Sequence, residues 1–269
     1  MKLQVLVAAV NADPRELAEK MNLRTDALIV NQCDHYGYEE FEHAGCLVKC
    51  FSMAERGVGR SRNFALMHSE GELLLFSDED ICLEDDYEEK ILGAFRDNPD
   101  ADMILFNLAI DPSRATYHNE KKYRVHWYNY GRFGMVETVA KRETLLRGNL
   151  FFSLLFGGGA RYSNGEDSLF LHDCLKRGLH LYTDTANIGR EILRDSTWFK
   201  GYSEKFFFDR GVLYAYLYGG MAKVWTLRYL LTKKKTLCGE IPFPKAKSLM
   251  YDGIREGRAI RKGGDFIKS

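Results

Sequence analysis

Three acidic residues, Asp78, Glu79 and Asp80, directly follow a hydrophobic run. Because carboxylates this close repel one another, a bound cation is a natural explanation for such a triplet. Oxygen ligands favour Mg²⁺ or Mn²⁺, which keep several waters and are shared between carboxylates and phosphates. Alternation along an extended chain predicts that Asp78 and Asp80 point to one side and Glu79 to the other. We therefore predict a divalent metal ion at Asp80 and Asp78; the alternative is a solvated acidic turn.

A basic segment upstream of this triplet has the composition of an anion site. Arg60, Arg62 and Asn63 follow two glycines, Gly57 and Gly59, at a turn that runs into a helical pattern. Backbone N–H groups at a helix start and the guanidinium fork both favour a diphosphate. The two segments together predict a site for a metal ion and a diphosphate.

A second acidic pair, Glu166 and Asp167, opens a helical pattern a few residues after three consecutive glycines at 157–159. Acids are common in the first turn of a helix because they interact favourably with the helix dipole, which is one interpretation of the pair. The glycines form either a hinge or a loop whose bare backbone lies against a ligand.

Alternating strand and helix patterns must position these groups. Near-continuous apolar runs predict strands at residues 3–10, 27–30, 73–76 and 103–106. Helical patterns lie between or after them at residues 14–21, 61–68, 86–96 and 166–178, with a short strand at 180–182. This order predicts an α/β fold with a mostly parallel central sheet. Ligands bind at the carboxyl ends of such strands, which here end in polar residues: Asn11, Asn31, Gln32, Asp78 and Asn107.

The order of these motifs resembles that of the family 2 glycosyltransferases, nucleotide-sugar enzymes with the A-type glycosyltransferase fold. The resemblance covers about residues 1–200 and implies a Rossmann-like domain with a C-terminal helical appendage. Its motifs are Asn11, Asn31-Gln32-Cys33-Asp34, Gly59-x-x-Arg62-Asn63, Asp78-x-Asp80 and Gly165-Glu166-Asp167. Where the family commonly has two aspartates, this chain has Asn31 and Gln32, whose carboxamides can still pair with a base edge. A third, histidine metal ligand has no clear counterpart after His180.

The resemblance also implies roles for three carboxylates. Asp78 contacts the ribose, Asp80 coordinates Mn²⁺ or Mg²⁺ on the diphosphate, and Asp167 is the base that accepts the proton of the acceptor hydroxyl. Trp198 and Lys200 lie where a loop could close over the diphosphate, although packing in the core is the alternative for the tryptophan. We predict that the nucleotide sugar contacts Ala8, Asn11, Gln32, Arg62, Asp78, Gly158, Glu166 and Lys200.

The function implied is an inverting, metal-dependent transfer of a sugar, from a UDP-sugar to a hydroxyl of a glycan or a lipid-linked acceptor. The setting implied is the biosynthesis of a cell-surface polysaccharide of the cell wall or capsule. A nucleotidyltransferase is disfavoured, because the residues after the first strand, 11–14, lack a glycine-rich basic loop. A non-catalytic nucleotide- or sugar-binding module of the same fold remains the other alternative.

The charge of the chain is divided. The 269 residues include 38 basic and 38 acidic side chains, and this balance removes the simplest argument for a nucleic-acid partner. Residues 223–269 hold twelve basic and four acidic residues, which leaves 26 basic and 34 acidic residues in 1–222. A body of charge −8 therefore precedes a tail of charge +8. We predict a catalytic domain at residues 1–204 and a helical basic appendage at 205–269.

Aromatic residues and then clustered lysines mark this tail: Tyr214, Tyr216, Tyr218, Trp225, Tyr229, Lys233, Lys234 and Lys235. That combination suits an anionic bilayer surface, and a helix packed on its own domain is the alternative. The longest uncharged run, 211–222, is shorter than the roughly 20 residues needed to cross a bilayer. We expect peripheral association with the inner face of the cell membrane, and a homodimer is left open.

The six cysteines are scattered and lack the paired spacing of a zinc site. The opening residues 2–7 have the composition of a first strand and not of a signal peptide. We therefore expect a cytoplasmic location, where free thiols persist.

Overall fold

The computed structural model of the chain describes residues 1–110, 117–192, 201–237 and 239–263. Two residues singled out above, Trp198 and Lys200, lie outside the described residues. The chain packs as two units, one formed by Met1–Ser153 with Phe170–Arg194 and the other by Leu154–Leu169 with Asp195–Ser269. These bounds differ from the predicted division between residues 204 and 205. We call them the sheet unit and the helical unit.

The strands of the sheet unit join in one sheet, in the order β3-β4-β2-β1-β5-β8-β7-β9-β6. Their bounds are β1 (Leu3–Val10), β2 (Asp26–Gln32), β3 (Gly37–His43), β4 (Cys46–Met53), β5 (Leu73–Asp78), β6 (Ile81–Leu83), β7 (Met103–Ala109), β8 (Thr138–Lys141) and β9 (Leu181–Glu191). The adjacent strands β4, β2, β1 and β5 are parallel, which confirms the predicted parallel core.

The parallel strands carry apolar residues on both faces because helices cover both. On one face, Leu17 of α1 and Ile91 and Phe95 of α3 join a core with the odd-numbered residues of β1. Against the other face, Phe152 lies 5.5 Å from Phe76 of β5, ring centre to ring centre. The helices are α1 (Pro14–Lys20), α2 (Val58–His68), α3 (Tyr87–Asp97), α4 (Arg142–Arg147) and α5 (Glu166–Lys176).

The remainder of the sheet is antiparallel in places that the apolar runs did not predict. β3 and β4 form a hairpin, and β3 has the mostly exposed pattern of an edge strand. The four-residue β8 inserts between β5 and β7 and is antiparallel to both. Strands this short or this polar leave no hydrophobic run long enough to be recognised in the sequence.

The helical unit contains α6 (Glu204–Tyr218), α7 (Ala222–Thr232), α8 (Lys234–Leu237) and α9 (Phe243–Gly263). Helices α6 and α9 approach closely at two glycines. A Cβ atom at Gly211 would lie 2.1 Å from the carbonyl oxygen of Met250, and one at Gly253 would lie 2.0 Å from that of Phe208. No larger side chain fits at either position without separating the helices.

The tyrosines expected to meet a membrane instead pack inside this unit. Tyr214 is buried, and Tyr218, Trp225 and Tyr229 pack against the same core between α6, α7 and α9. Tyr216 packs against a second core cluster. These contacts favour the alternative for the aromatic residues, a helix packed on its own domain, because the contacts of these rings stabilise the helical unit. None of the described helices is long and apolar enough to span a membrane.

Candidate active site

The acidic triplet lies where β5 ends. Asp78 is the last strand residue and pairs in register with Ala8 of β1, which itself pairs with Val30 of β2. Glu79 and Asp80 form the turn to β6, so strand alternation does not extend to Asp80. Asp78 and Asp80 are both half-buried, within reach of solvent and of a ligand.

Glu79 is used to hold β1 and β5 together. Its carboxylate accepts a hydrogen bond from the Val10 N–H at 2.7 Å, and its own N–H donates to the Ala8 carbonyl at 3.2 Å. The Asp80 carbonyl accepts from the N–H of Ile192 at 2.7 Å. The backbone of the turn is therefore fixed on both sides by hydrogen bonds to neighbouring segments.

Arg62 of α2 reaches the end of β5. Its Nη2 lies 3.3 Å from Oδ1 of Asp78, and only 5% of the residue is exposed. Its guanidinium also lies over the ring of Phe152, 5.4 Å from the ring centre. The structure thus brings together two predicted donor-site residues as an ion pair, which offsets part of the repulsion in the acidic triplet.

Gly59 and Asn63 hold α2 against residues 152–153. A Cβ atom at Gly59 would lie 2.6 Å from the Ser153 carbonyl oxygen. The Asn63 amide donates to the Phe152 carbonyl at 2.9 Å and accepts from the Phe152 N–H at 2.7 Å. The Gly59-x-x-Arg62-Asn63 motif therefore packs α2 against residues 152–153. This packing positions Arg62 near the end of β5.

Gln32, at the end of β2, holds the loop before α2. Its Oε1 accepts from the Gly57 N–H at 2.7 Å, and its carbonyl accepts from Nη1 of Arg56 at 2.7 Å. Arg56 also donates to Oδ1 of Asn11 at 3.4 Å, and Asn11 has a φ of 51°. Sequence reasoning missed Arg56; an arginine just before the glycine turn is the signal that was available.

The donor set at Asp78 and Asp80 fits a hard divalent cation. Both ligands are carboxylates, while Glu79 is held by the end of β1. Mg²⁺ and Mn²⁺ take oxygen ligands of this kind and complete their shells with water and phosphate oxygens. The arrangement therefore fits the predicted metal ion with Asp80 and Asp78 as its protein ligands.

A different donor set lies just beyond β2. Cys33, Asp34 and His35 place ligand atoms within 4.8 Å of one another. The hydrogen bond from His35 lowers the pKa of Asp34 below its usual range. A thiol, an imidazole and a carboxylate suit softer metals than Mg²⁺ or Mn²⁺, so this group does not compete for the predicted role.

In the helical unit, Glu166 and Asp167 occupy the first turn of α5, as predicted. The loop before them begins with a tight turn through the glycines, closed by the Ala160 N–H donating to the Gly157 carbonyl at 3.0 Å, and the Gly157 N–H donates to the Tyr162 carbonyl at 2.9 Å. Gly158 is half-buried within that turn. The turn holds residues 157–162 in a fixed shape, which favours a shaped loop over a hinge.

A buried carboxylate anchors the end of this loop. Asp209 of α6 is 1% exposed, and its Oδ2 accepts from the N–H of Ser163 at 2.9 Å and from its hydroxyl at 2.8 Å. The ammonium of Lys205 donates to the same oxygen at 2.6 Å and to the Arg161 carbonyl at 3.0 Å. Sequence reasoning missed Asp209 and Lys205, because neither lies near the acid pair along the chain.

Gly165 completes the anchor immediately before the acid pair. Its φ is +115°, a conformation that residues with a Cβ rarely adopt, and a Cβ there would lie 2.6 Å from the Leu213 side chain. Its carbonyl accepts the first α5 bond, from Leu169 at 2.9 Å. The direction of the first turn of α5 is thus set by a glycine packed against α6.

A shallow cleft of about 460 Å³ lies beside this anchor, within the helical unit. Arg161 and Glu256 form an ion pair across it at 2.5 Å, and the Tyr162 hydroxyl donates to the same carboxylate at 3.3 Å. Burial raises the pKa of Tyr162 to about 12, so its hydroxyl stays protonated and able to donate at neutral pH. Lys205, Asp209 and Phe208 also line the cleft.

The predicted residues therefore fall in two groups. Ala8, Asn11, Gln32, Arg62, Asp78 and Asp80 gather at the carboxyl ends of β1, β2 and β5 and the start of α2. Gly158, Glu166 and Asp167 lie in the helical unit, in the anchored loop and the first turn that follows it. The first group belongs to the sheet unit and the second to the helical unit.

This sheet, with its parallel core and acidic β5 end, is the A-type glycosyltransferase fold. Residues 1–349 of S. aureus TarS in complex with UDP-GlcNAc match with a TM-score of 0.60 and 14% identity, over 99% of this chain and 93% of that one. The mannosyltransferase PcManGT from Pyrobaculum calidifontis, in complex with GDP-Man and Mn²⁺, matches with a TM-score of 0.51 and 13% identity, over 98% and 76%. Identities this low establish the fold alone.

A sequence match agrees with the fold. Residues 27–153 match the model of glycosyl transferase family 2. This match confirms the resemblance drawn from the motifs and the predicted enzyme class, a glycosyltransferase. No curated protein sequence matches the chain.

Proposed function

We propose that this protein transfers a sugar from a nucleoside diphosphate donor to an acceptor hydroxyl, with inversion at the anomeric carbon. The observation that carries the proposal is the Arg62–Asp78 ion pair at the end of β5, one residue before the Glu79–Asp80 turn. Cationic and anionic groups there suit a diphosphate and its metal ion together. The complex of TarS with UDP-GlcNAc favours a UDP-sugar as the donor.

On the donor side, the end of the sheet binds the nucleotide and diphosphate. Asp78 accepts a hydrogen bond from a ribose hydroxyl, and the buried Arg62 orients that carboxylate. Asn11, Gln32 and Ala8 border the space for the nucleobase, and Arg56 adds a cation there. Asp80 and Asp78 would hold Mn²⁺ or Mg²⁺, which when bound stabilises the negative charge of the departing diphosphate.

On the acceptor side, Asp167 serves as the base. Its carboxylate takes the proton from the acceptor hydroxyl as the acceptor oxygen forms a bond to the anomeric carbon. The bond from that carbon to the diphosphate oxygen breaks, and the nucleoside diphosphate leaves with the electron pair. One displacement from the opposite face inverts the carbon and needs no covalent nucleophile.

Residues of the anchored loop support this base. Gly158 and Glu166 border the donor sugar in this proposal, and Asp209 fixes the loop through Ser163. The proposed division has catalytic machinery in residues 1–204 and a basic appendage in 205–269. The acceptor is a glycan or a lipid-linked sugar of a cell-surface polysaccharide, which the protein meets from the inner face of the membrane.

A thermal-shift screen of the full chain tests the donor assignment. A ligand that binds only the native state raises its melting temperature. We expect UDP and UDP-sugars to raise it when Mn²⁺ is present, and to do so much less in EDTA. The absence of a shift with every nucleotide sugar, with or without Mn²⁺, would favour a non-catalytic module.

A further inference from the structure

The outer face of α7 carries an exposed apolar stripe. Met221, just before the helix, is 58% exposed, Val224 59%, Leu227 37% and Leu231 63%. Their spacing of three or four residues places them along one side of the helix. The opposite side packs into the helical unit through Ala222, Thr226 and Leu230, all fully buried. Because the outer side of a surface helix is ordinarily polar, this stripe needs a partner.

The surroundings of the stripe are strongly cationic. Lys223, Arg228, Lys233, Lys234 and Lys235 are all exposed, and the sequence has no acidic residue between Asp209 and Glu240. At 100° per residue, Lys223 and Arg228 fall on opposite sides of the centre of the stripe. Among the ion pairs of the described residues, none involves any of these five cations.

Two of these cations lie over aromatic rings, which do not neutralise their charge. The Arg228 guanidinium lies 4.8 Å from the ring centre of Trp225, and the Lys223 ammonium lies 5.2 Å from that of Tyr251. A cation over a ring keeps its charge and its hydrogen-bond donors. The side chains are therefore arranged beside the stripe and remain able to bind anions.

We propose that this face of α7 docks on a lipid bilayer that contains anionic phospholipids. The four apolar side chains enter the boundary between headgroups and acyl chains, and the five cations contact lipid phosphates. An amphipathic helix with an apolar face and basic flanks is the form that lies in a membrane interface. The site consists of α7 and the three lysines that follow it, and the tyrosines of α6 take no part.

Charge complementarity favours a bilayer over a second copy of the chain. A two-fold interface would set this face against itself, and five cations of one copy would then meet five of the other. Anionic lipids supply the opposite charge, and the apolar stripe matches the acyl region. The inference deepens the proposed function and rests on it for its purpose, which is to bring the domain to a lipid-linked acceptor.

Vesicle flotation of the full chain tests the proposal. We expect binding to vesicles of phosphatidylcholine mixed with phosphatidylglycerol, weaker binding as salt rises, and little binding to phosphatidylcholine alone. Leu231→Glu should weaken binding about tenfold, because it removes apolar area and adds a like charge to the lipid. Met67→Glu is the matched control, since Met67 of α2 is also 63% exposed; its effect should stay within about twofold.

A second pair of variants tests the cations. Each basic residue near an anionic surface strengthens binding about fivefold, so replacing Lys233, Lys234 and Lys235 by Gln should weaken it about a hundredfold. The control is the same replacement of three exposed lysines elsewhere, at Lys20, Lys121 and Lys176. Equal losses in the two triple variants would mean that net charge, and not this face, governs binding, and would overturn the proposal.

Other outcomes also decide the matter. Failure of the wild-type chain to bind the anionic vesicles would refute the proposal, as would equal binding by Leu231→Glu and Met67→Glu. A dimer in sedimentation velocity that Leu231→Glu dissociates would assign the face to a second copy. The UDP thermal shift should be unchanged in Leu231→Glu. Vesicle binding without any nucleotide shift would refute the proposed function while leaving this surface intact.

Discussion

The end of β5 and the loop before α5 hold carboxylates in different ways. At β5, Asp78 is placed by strand register and paired with Arg62, a residue of the next helix upstream. Before α5, Asp167 follows an irregular loop that is fixed through Ser163 to the buried Asp209 of α6. Regular elements thus position the donor side of the proposed site, and one buried anchor positions the acceptor side.

This difference predicts how a single substitution affects each carboxylate. A strand ladder distributes its stabilisation over many backbone bonds, so one substitution there removes a chemical group and leaves the geometry. An anchor concentrates it, because three hydrogen bonds converge on one carboxylate oxygen of Asp209. Substitutions at β5 should therefore change ligand binding, and substitutions at the anchor should change the placement of the base.

Among the residues that support the proposed site, Arg62 is expected to show the largest effect when it is replaced, by Arg62→Met. The substitution leaves Asp78 without the guanidinium while keeping an apolar stem over Phe152. A hydrogen bond to a charged group contributes about 2 kcal/mol, so donor affinity should fall about thirtyfold, as measured by calorimetric titration with UDP.

Arg60→Met is the control on the same helix. Arg60 belongs to the basic segment predicted to bind a diphosphate, but the structure leaves it exposed and paired with Glu55 at 2.5 Å, and such surface pairs contribute less than about 1 kcal/mol. Its UDP affinity should stay near that of the wild type. If both variants bound UDP equally well, the donor site would not lie at the Arg62–Asp78 pair.

A smaller effect is expected from Asp209→Asn. The amide keeps an acceptor for Ser163 but loses the charge that holds Lys205, so the loop before Asp167 should loosen. Small displacements of a catalytic group are costly, and we expect about a tenfold loss in transfer rate with UDP affinity unchanged. Steady-state kinetics and titration of the same preparation separate the two quantities.

Glu256→Gln is the matched control, because Glu256 takes part in the neighbouring cleft through the surface pair with Arg161. Its transfer rate should remain within about twofold of the wild type. A parallel loss of UDP affinity in Asp209→Asn would show that the anchor supports the whole protein and not the acceptor side alone.

Much of the β5 side could be predicted from the sequence. The buried runs of β1, β2 and β5 are nearly continuous, and polar residues end each of them. The sequence therefore predicts correctly that Asp78 and Gln32 lie at the carboxyl ends of their strands. The partner of Gln32 could not be predicted, because its bond to Gly57 depends on how the loop before α2 returns to the sheet. The role of Glu79 likewise required the position of Val10.

The helical side was less predictable. The start of α5 at Glu166 follows from its pattern, but its anchor comes from Asp209, whose neighbours in the sequence give no sign of a loop contact. The packing of the tyrosines cannot be predicted from the sequence, because aromatic residues suit a bilayer interface and a helical core equally well. Only the packing of α7 and α9 against α6 distinguishes the two.

In the proposed mechanism, donor binding and proton removal belong to different carboxylates, Asp80 and Asp167. Measuring Mn²⁺-dependent UDP-sugar binding and sugar transfer for Asp80→Asn and Asp167→Asn tests it directly. We predict that Asp80→Asn loses metal-dependent binding, whereas Asp167→Asn keeps binding and loses transfer by about a thousandfold. Normal transfer by Asp167→Asn, or undiminished metal-dependent binding by Asp80→Asn, would show that these two carboxylates do not have the proposed roles.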